Sequence, residues 1–451
     1  MIQSLYLTKY EGAIYPINPN EKEIQGLPVY RTVLDVPDEI DLAVITVRAE
    51  LVPQAMRECV QKGVKGAVVI SADFAETGDH GRALQEEITD IARQGDLRFV
   101  GPNCNGIWST ASNLNLVLHS IPHKGPISFV SQSGTLVGTF ANVATMKGYG
   151  LSKLISVGNQ ADLDVADYLE YLADDPDTKA IVMYIEGFSD GRKLFRVARE
   201  MAGEKPVIVY KAGRNPAIAR VAMSHTASIA GEDRIFDAMC QQVGLIRAND
   251  LLGSLDMAAI LTRQPLPKGK RVGILGTGGQ CVVLADTCIS MGMEVPELRN
   301  EDISFIISEV EFPPHAPTPR NPVDFAGSNR TAAMEANVLN KLAQLDYIDA
   351  VISNTPMTFR PTGRNATAEQ IKLDTEAGEL LTAIPQKFGK PVVTLGFGGF
   401  GGFHGASELQ KTLDKTGILS YPTPEEAVRA MYTLMKYADI KRQFNEEQTV
   451  K

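Results

Sequence analysis

The sequence predicts an α/β protein built from several parallel-sheet domains. Short apolar runs alternate with helical stretches along nearly the whole chain, the pattern of strands joined by crossover helices and covered on both faces. Turns rich in glycine, serine and asparagine follow several of those runs, as expected where strand ends open onto a crevice. A length of 451 residues exceeds what one core supports and implies about two to four domains.

The first block, residues 1–120, supplies apolar strands at Ala13–Ile17, Asp41–Val47 and Lys65–Ser71, with helices at Val52–Lys62 and Arg82–Gln94. It closes on Phe99-Val100-Gly101-Pro102-Asn103-Cys104-Asn105-Gly106, a strand running into a tight turn. Trp108 follows; it could bound a pocket or pack in the core.

After Pro122-His123-Lys124-Gly125, the second block occupies residues 124–264. Its strands are expected at Pro126–Ser131, Ser152–Val157, Ala180–Ile185 and Pro206–Tyr210. The turn Ser131-Gln132-Ser133-Gly134-Thr135 opens a helix, and small residues there serve either as caps or as an anion cradle. Glu186 closes the strand before it as a carboxylate at a C-terminal end, either solvated or functional. Beyond Lys211, a small-residue loop and an Ala-rich helix lead to Ser-His-Thr-Ala-Ser. His225 therefore stands where helix gives way to loop, among hydroxyls. A lone histidine in such a place is more often a surface or capping residue than a catalyst.

Gln264-Pro265-Leu266-Pro267-Lys268-Gly269 reads as a linker into the third block, residues 270–451. Arg271–Leu275, the loop Gly276-Thr277-Gly278-Gly279 and a helix from about Cys281 repeat the plan of Pro126–Ala144, so these two blocks read as flavodoxin-like units. Pro313–Pro322 must be loop. Asp349–Ser353 and Pro391–Leu395 are later strands, Gly396–Gly405 is a flexible glycine-rich stretch, and an amphipathic helix runs from Glu425.

The composition narrows the function. A hydrophobic fraction of 44% and a charged fraction of 22% are ordinary for a soluble globular protein. A net charge of −10 argues against nucleic-acid binding, which needs a basic face to neutralise phosphates. Five cysteines without a C-x-x-C pair predict free thiols in a reducing cytoplasm. No apolar run approaches the ~18 residues of a membrane span, and the start lacks a signal-peptide pattern. No metal site is expected.

Four motifs together carry a family resemblance: Gly101–Gly106, Gly125–Leu136 (GPISFVSQSGTL), Tyr184-Ile185-Glu186-Gly187, and Lys211-Ala212-Gly213-Arg214 followed by Ser224-His225-Thr226. In order and spacing the chain resembles, over nearly its whole length, the α half of ADP-forming acyl-CoA synthetases of the acetate–CoA ligase type. These are distant relatives of the succinyl-CoA synthetase α subunit. The resemblance implies a Rossmann-like CoA-binding domain followed by two flavodoxin-like succinyl-CoA-synthetase-type domains. It also implies interconversion of acyl-CoA, phosphate and ADP with acid, CoA and ATP, through acyl phosphate and a phosphohistidine at His225. Glu186 would orient the imidazole, and Ser133, Gly134 and Thr135 would hold phosphate. Asn18, Pro19, Val47, Arg48, Ser71, Asn103 and Cys104 would line the CoA and acyl site. Coenzyme A is then a substrate. ADP or ATP with magnesium belongs on a separate ATP-grasp β subunit, because the three blocks use up this chain, and an assembly of two α and two β chains is implied.

Some positions depart from the family pattern. Family members usually begin with a strand and a small-residue loop, whereas Met1 falls partway along the helix that should follow, which implies an upstream start or a degenerate CoA domain. Asn20 stands where a phosphate-pairing lysine is common, Arg48 replaces a proline, and Ala227 replaces a glycine. Two other readings compete: a CoA- or acyl-CoA-sensing regulatory module, and an inactive scaffold subunit. The acid is open.

Overall fold

The computed structural model describes residues 1–117, 122–188, 190–213, 233–312, 318–325, 328, 331–353, 367–395, 413 and 416–449. The chain divides into two compact units, Met1–Ala258 and Ala259–Lys451. None of the helices among the described residues is long and apolar enough to cross a membrane. None of the five cysteines forms a disulfide, and all are buried.

The first unit opens with helix α1 (Ile2–Leu7) and builds a three-stranded parallel sheet from β1 (Leu42–Ile45), β2 (Gly66–Val69) and β3 (Arg98–Val100), in that order. Helices α2 (Val52–Lys62) and α3 (Asp79–Gln94) cross between the strands. Val52, Met56 and Cys59 lie on one side of α2 and are buried with Ile88, Ala92 and Phe99, the spacing that a helix on a sheet requires. Ala13–Ile17 does not form the expected strand. Pro16 has no N–H to donate, and the segment makes only one bridge, Ile17 with Tyr30.

A second sheet has seven strands. They are β4 (Ile107–Ser109), β5 (Leu114–Asn115), β6 (Lys124–Ser131), β7 (Leu151–Ser156), β8 (Ala180–Ile185), β9 (Val207–Lys211) and β10 (Ile246–Arg247), ordered β10-β9-β8-β6-β7-β4-β5. Strands β6 to β10 are parallel; β4 and β5 extend the sheet as an antiparallel pair. Trp108 lies on β4 opposite Leu154 and is buried, so it packs in the core. The helices are α4 (Gly134–Met146), α5 (Val165–Asp174), α6 (Gly191–Glu200) and α7 (Asp233–Gln242), before α8 (Leu251–Arg263) carries the chain out of the unit. Phe129 of β6 stacks on Phe140 of α4 with centroids 3.9 Å apart, which seats this helix against the strand it follows.

On the neighbouring strand β7, Lys153 stands in register with Ser128 and forms a buried ion pair with Asp175 at 2.6 Å. Burial alone would raise the pKa of Asp175. Hydrogen bonds from Lys153 and Thr178 outweigh it and hold the carboxyl below its ordinary range.

The second unit carries a five-stranded parallel sheet: β11 (Val272–Gly276), β12 (Val323–Asp324), β13 (Ala350–Ser353), β14 (Val392–Leu395) and β15 (Ser420–Tyr421), ordered β12-β11-β13-β14-β15. Helices α9 (Gly279–Ser290), α10 (Asn300–Glu309), α11 (Ala332–Gln344), α12 (Ala368–Phe388) and α13 (Pro424–Thr449) complete it. Leu339, Leu342, Leu381 and Ile384 form one core with Val351 and Val392.

Candidate functional site

Strand order locates the crevice. From β6 the chain passes through α4 to β7 on one side, whereas β8, β9 and β10 lie on the other. The loops leaving β6 and β8 therefore diverge, and in open α/β sheets ligands bind at such a switch point. Residues 131–135 leave β6 there, and Glu186 leaves β8.

The β6–α4 turn is internally tied. Ser131 Oγ donates to the Ser133 carbonyl at 2.9 Å and accepts from the Ser133 N–H at 3.1 Å. Ser133 is the N-cap of α4, its hydroxyl accepting from Leu136 N at 3.4 Å. Gly134 and Thr135 sit in the first helical turn, where backbone N–H groups have no intrahelical acceptor. Thr135 is exposed, Ser133 and Gly134 partly so.

Glu186 is half-buried and shares a strand face with Tyr184 two residues earlier. Burial first, then the charge of Glu186 and a hydrogen bond to it, push the Tyr184 phenol far above its ordinary pKa, so the phenol donates to the carboxylate. Tyr210 on β9, in register with Tyr184, stacks on it at 5.8 Å. Gln132 completes the arrangement: its side-chain oxygen accepts from the N–H groups of Glu186 and of Gly187.

The turn Gly101–Gly106 meets this site from the first sheet. Asn103, with φ +56°, donates its N–H to the Ser71 carbonyl at 2.8 Å, and Ser71 Oγ donates to the Val47 carbonyl at 2.5 Å. The C-terminal ends of β1, β2 and β3 are thereby laced together. Asn105 reaches the other way: its N–H donates to Ser156 Oγ at 2.9 Å, and its amide nitrogen donates to the Gly134 carbonyl at 3.2 Å. A Cβ on Gly134 would stand 2.9 Å from that of Asn105, so only glycine permits so close an approach of the two turns.

Other expected site residues fall as follows. The Asn103 amide donates to Asn159 Oδ1 at 3.3 Å, and Asn159 donates in turn to Glu76 and to Gln85. Cys104 is buried beneath the turn with its thiol donating to the Val69 carbonyl at 3.3 Å; burial pushes that thiol up to about 12. Val47 and Arg48 are exposed at the end of β1. Asn18 donates its N–H to the Tyr30 carbonyl and accepts from Asn20 N at 2.9 Å, with Pro19 exposed between them. Lys211, almost fully buried, closes β9 in register with Ile185, and Ala212 N–H donates to the Ile185 carbonyl at 2.8 Å. His225, with Arg214 and Thr226, lies outside the described residues.

Sequence reasoning brings Ser133, Gly134, Thr135 and Glu186 to one crevice and Val47, Ser71 and Asn103 to one sheet edge. It missed Gln132, Tyr184 and Asn159 as the residues that hold them. Tyr184 was legible as the i−2 neighbour of Glu186 on a strand. The partners of Gln132 and Asn159 are more than 50 residues away in sequence and carry no local signal. Chemically, amides at a helix N-terminus beside a fixed carboxylate can hold an anion while the carboxylate orients a hydrogen-bond donor.

Comparisons with known proteins bear on the domains that carry this geometry. Residues 3–110 match a CoA binding domain, and residues 124–261 match a succinyl-CoA ligase-like flavodoxin domain. The chain is 38% identical over 435 residues to the α subunit of an ADP-forming acetate–CoA ligase II of Pyrococcus furiosus, covering 96% of this chain and 92% of that one. It is 37% identical over 437 residues to an ADP-forming acetate–CoA ligase of Methanocaldococcus jannaschii, of which it spans 60%. A dinucleotide-forming acetyl-coenzyme A synthetase 1 of Ca. Korarchaeum cryptofilum, solved with phosphate and ADP, superposes with a TM-score of 0.84 at 31% identity, covering 99% of this chain and 93% of that one.

Proposed function

Because the chain belongs to the family of ADP-forming acetate–CoA ligase α subunits, we propose that it is the acyl-CoA-handling subunit of an ADP-forming acyl-CoA synthetase. Phosphate attacks the acyl-CoA thioester, releasing CoA and forming an acyl phosphate. The imidazole of His225 takes the phosphoryl group, releasing the acid, and passes it to ADP to give ATP. A neutral imidazole is nucleophilic at physiological pH, and its phosphoramidate is reactive enough to hand phosphate on.

In this reading Ser133, Gly134 and Thr135 hold the transferring phosphate at the start of α4, where the helix dipole favours negative charge. Glu186 orients the imidazole and keeps its attacking nitrogen unprotonated. The edge formed by Val47, Arg48, Ser71, Asn103 and Cys104, with Asn18 and Pro19, takes the CoA and acyl end. Cys104 supports that edge from beneath, its buried, neutral thiol donating to the Val69 carbonyl. The observation that carries the reading is the approach of two turns: Asn105 from the CoA-binding block is hydrogen-bonded to Gly134 of the anion-binding turn. A thioester held by one turn thus lies beside a phosphate held by the other.

ADP or ATP with magnesium is proposed to bind a separate ATP-grasp β subunit, in an assembly of two α and two β chains in the cytoplasm. The Pyrococcus furiosus relative, which this chain covers to 92% of its length, is itself named as one subunit of its ligase, and that supports a partner. Domain boundaries are proposed at residues 1–120, 124–264 and 270–451. The test is reconstitution of the chain with a β subunit, following ATP formed from acetyl-CoA, phosphate and ADP. His225→Ala is expected to abolish it; full activity in that variant would refute the carrier role.

A further inference from the structure

Gln132 belongs to the anion-binding turn but spends its side chain on Glu186. It is 7% exposed, and its backbone N–H donates to the Tyr184 carbonyl at 3.3 Å. One side-chain oxygen accepts from two consecutive N–H groups, that of Glu186 and, at 3.1 Å, that of Gly187. These two residues directly follow the end of β8. Without this acceptor, two buried or partly buried donors would lose a partner and the segment carrying Glu186 would be free to turn. An amide suits this place better than an acid, since a carboxylate would put a second negative charge beside Glu186.

We propose that Gln132 is a positioning residue: it fixes the backbone of Glu186 and ties that carboxylate rigidly to the turn that holds phosphate. The inference rests on the proposed roles of Glu186 and of that turn. Tyr184 acts alongside it, holding the carboxylate while Gln132 holds the main chain. Any displacement of the phosphate turn then moves the imidazole-orienting group with it, so phosphate and imidazole are aligned by one rigid unit.

The test measures steady-state turnover of acetyl-CoA, phosphate and ADP by the full chain with its β subunit, in Gln132→Met, Glu186→Gln and the double variant. Methionine keeps the length and removes the acceptor. Displacement of a reacting group by about 1 Å costs about 100-fold, so kcat of Gln132→Met is expected to fall by that order. Its KM for acetyl-CoA should stay within about twofold, because the CoA edge is untouched. The double variant should be no slower than Glu186→Gln alone, since Gln132 acts through that residue. If Gln132→Met fails to fold, Gln132→Asn, which keeps the amide but draws the acceptor back by one methylene from Glu186 and Gly187, replaces it with the same expected fall in kcat and the same non-additivity against Glu186→Gln. Wild-type kcat in Gln132→Met, or losses that multiply in the double variant, would overturn the inference while leaving the site assignment standing. Wild-type turnover in Glu186→Gln would overturn the site assignment itself and this inference with it.

Discussion

Substituting alanine for Gly158 separates the two halves of the proposed reaction. Gly158 has φ +58°, and a Cβ there would lie 2.1 Å from the Pro102 carbonyl oxygen and 2.8 Å from that of Asn103. Carbon and oxygen in contact sit at about 3.3 Å, so the Pro102 carbonyl must retreat by more than about 1 Å. That carbonyl accepts from Asn159 N at 2.9 Å, and Gly101 O accepts from Ala161 N at 3.1 Å, so the retreat strains the links between the turn and the loop after β7. The left-handed backbone costs about 1–2 kcal/mol with a side chain, and forced overpacking about 1–3 kcal/mol. A total near 2–5 kcal/mol predicts a clear drop in Tm. Shifting the turn by about 1 Å should also slow acyl-CoA-dependent phosphorylation of the chain by about 100-fold. Phosphorylation from labelled ATP with the β subunit does not use this turn and should fall only a few-fold. Label incorporation followed by both routes reads the difference. A wild-type Tm and rate from acetyl-CoA and phosphate, or an equal loss by both routes, would refute the reasoning.

Two further outcomes are expected. Lys153→Met leaves Asp175 buried without its cation and should cost about 3–5 kcal/mol at neutral pH, seen as a lowered Tm. Because the folded-state pKa of Asp175 lies below its unfolded value near 3.8, its stabilising contribution in the wild type is full above that value and is lost as pH falls through the folded one. Burial dominates in the variant and raises that pKa instead, so the Tm gap should narrow on acidification; a gap that widens would contradict this. Cys104, its pKa pushed to about 12 and its surroundings closed, should resist iodoacetamide at pH 8 in the native chain and react once unfolded, as mass spectrometry would report. Rapid native modification would contradict its assignment as a neutral donor.

Where one physical signal dominated, the sequence was readable. Val52–Lys62 and Ala180–Ile185 occupy the expected residues because amphipathic spacing and an unbroken apolar run leave little choice of structure. Pro16 defeated the expected strand at Ala13–Ile17 by removing a donor. The β4–β5 pair was invisible because three and two residues carry too little periodicity, and only the pairing of β4 with β7 and of β5 with β4 defines it. The candidate site divides in the same way. Ser133, Gly134 and Glu186 could be read as strand-end and helix-start residues. The contacts of Gln132 with Glu186, and of Asn103 with Asn159, exist only once strands distant in sequence lie side by side.

The central claim is that one histidine carries phosphate between acyl-CoA and nucleotide, and the most direct measurement is label transfer to the purified chain from acetyl-CoA and labelled inorganic phosphate. The account predicts acid-labile, base-stable label on the wild type that disappears in His225→Ala. Label of the same amount in His225→Ala would contradict it.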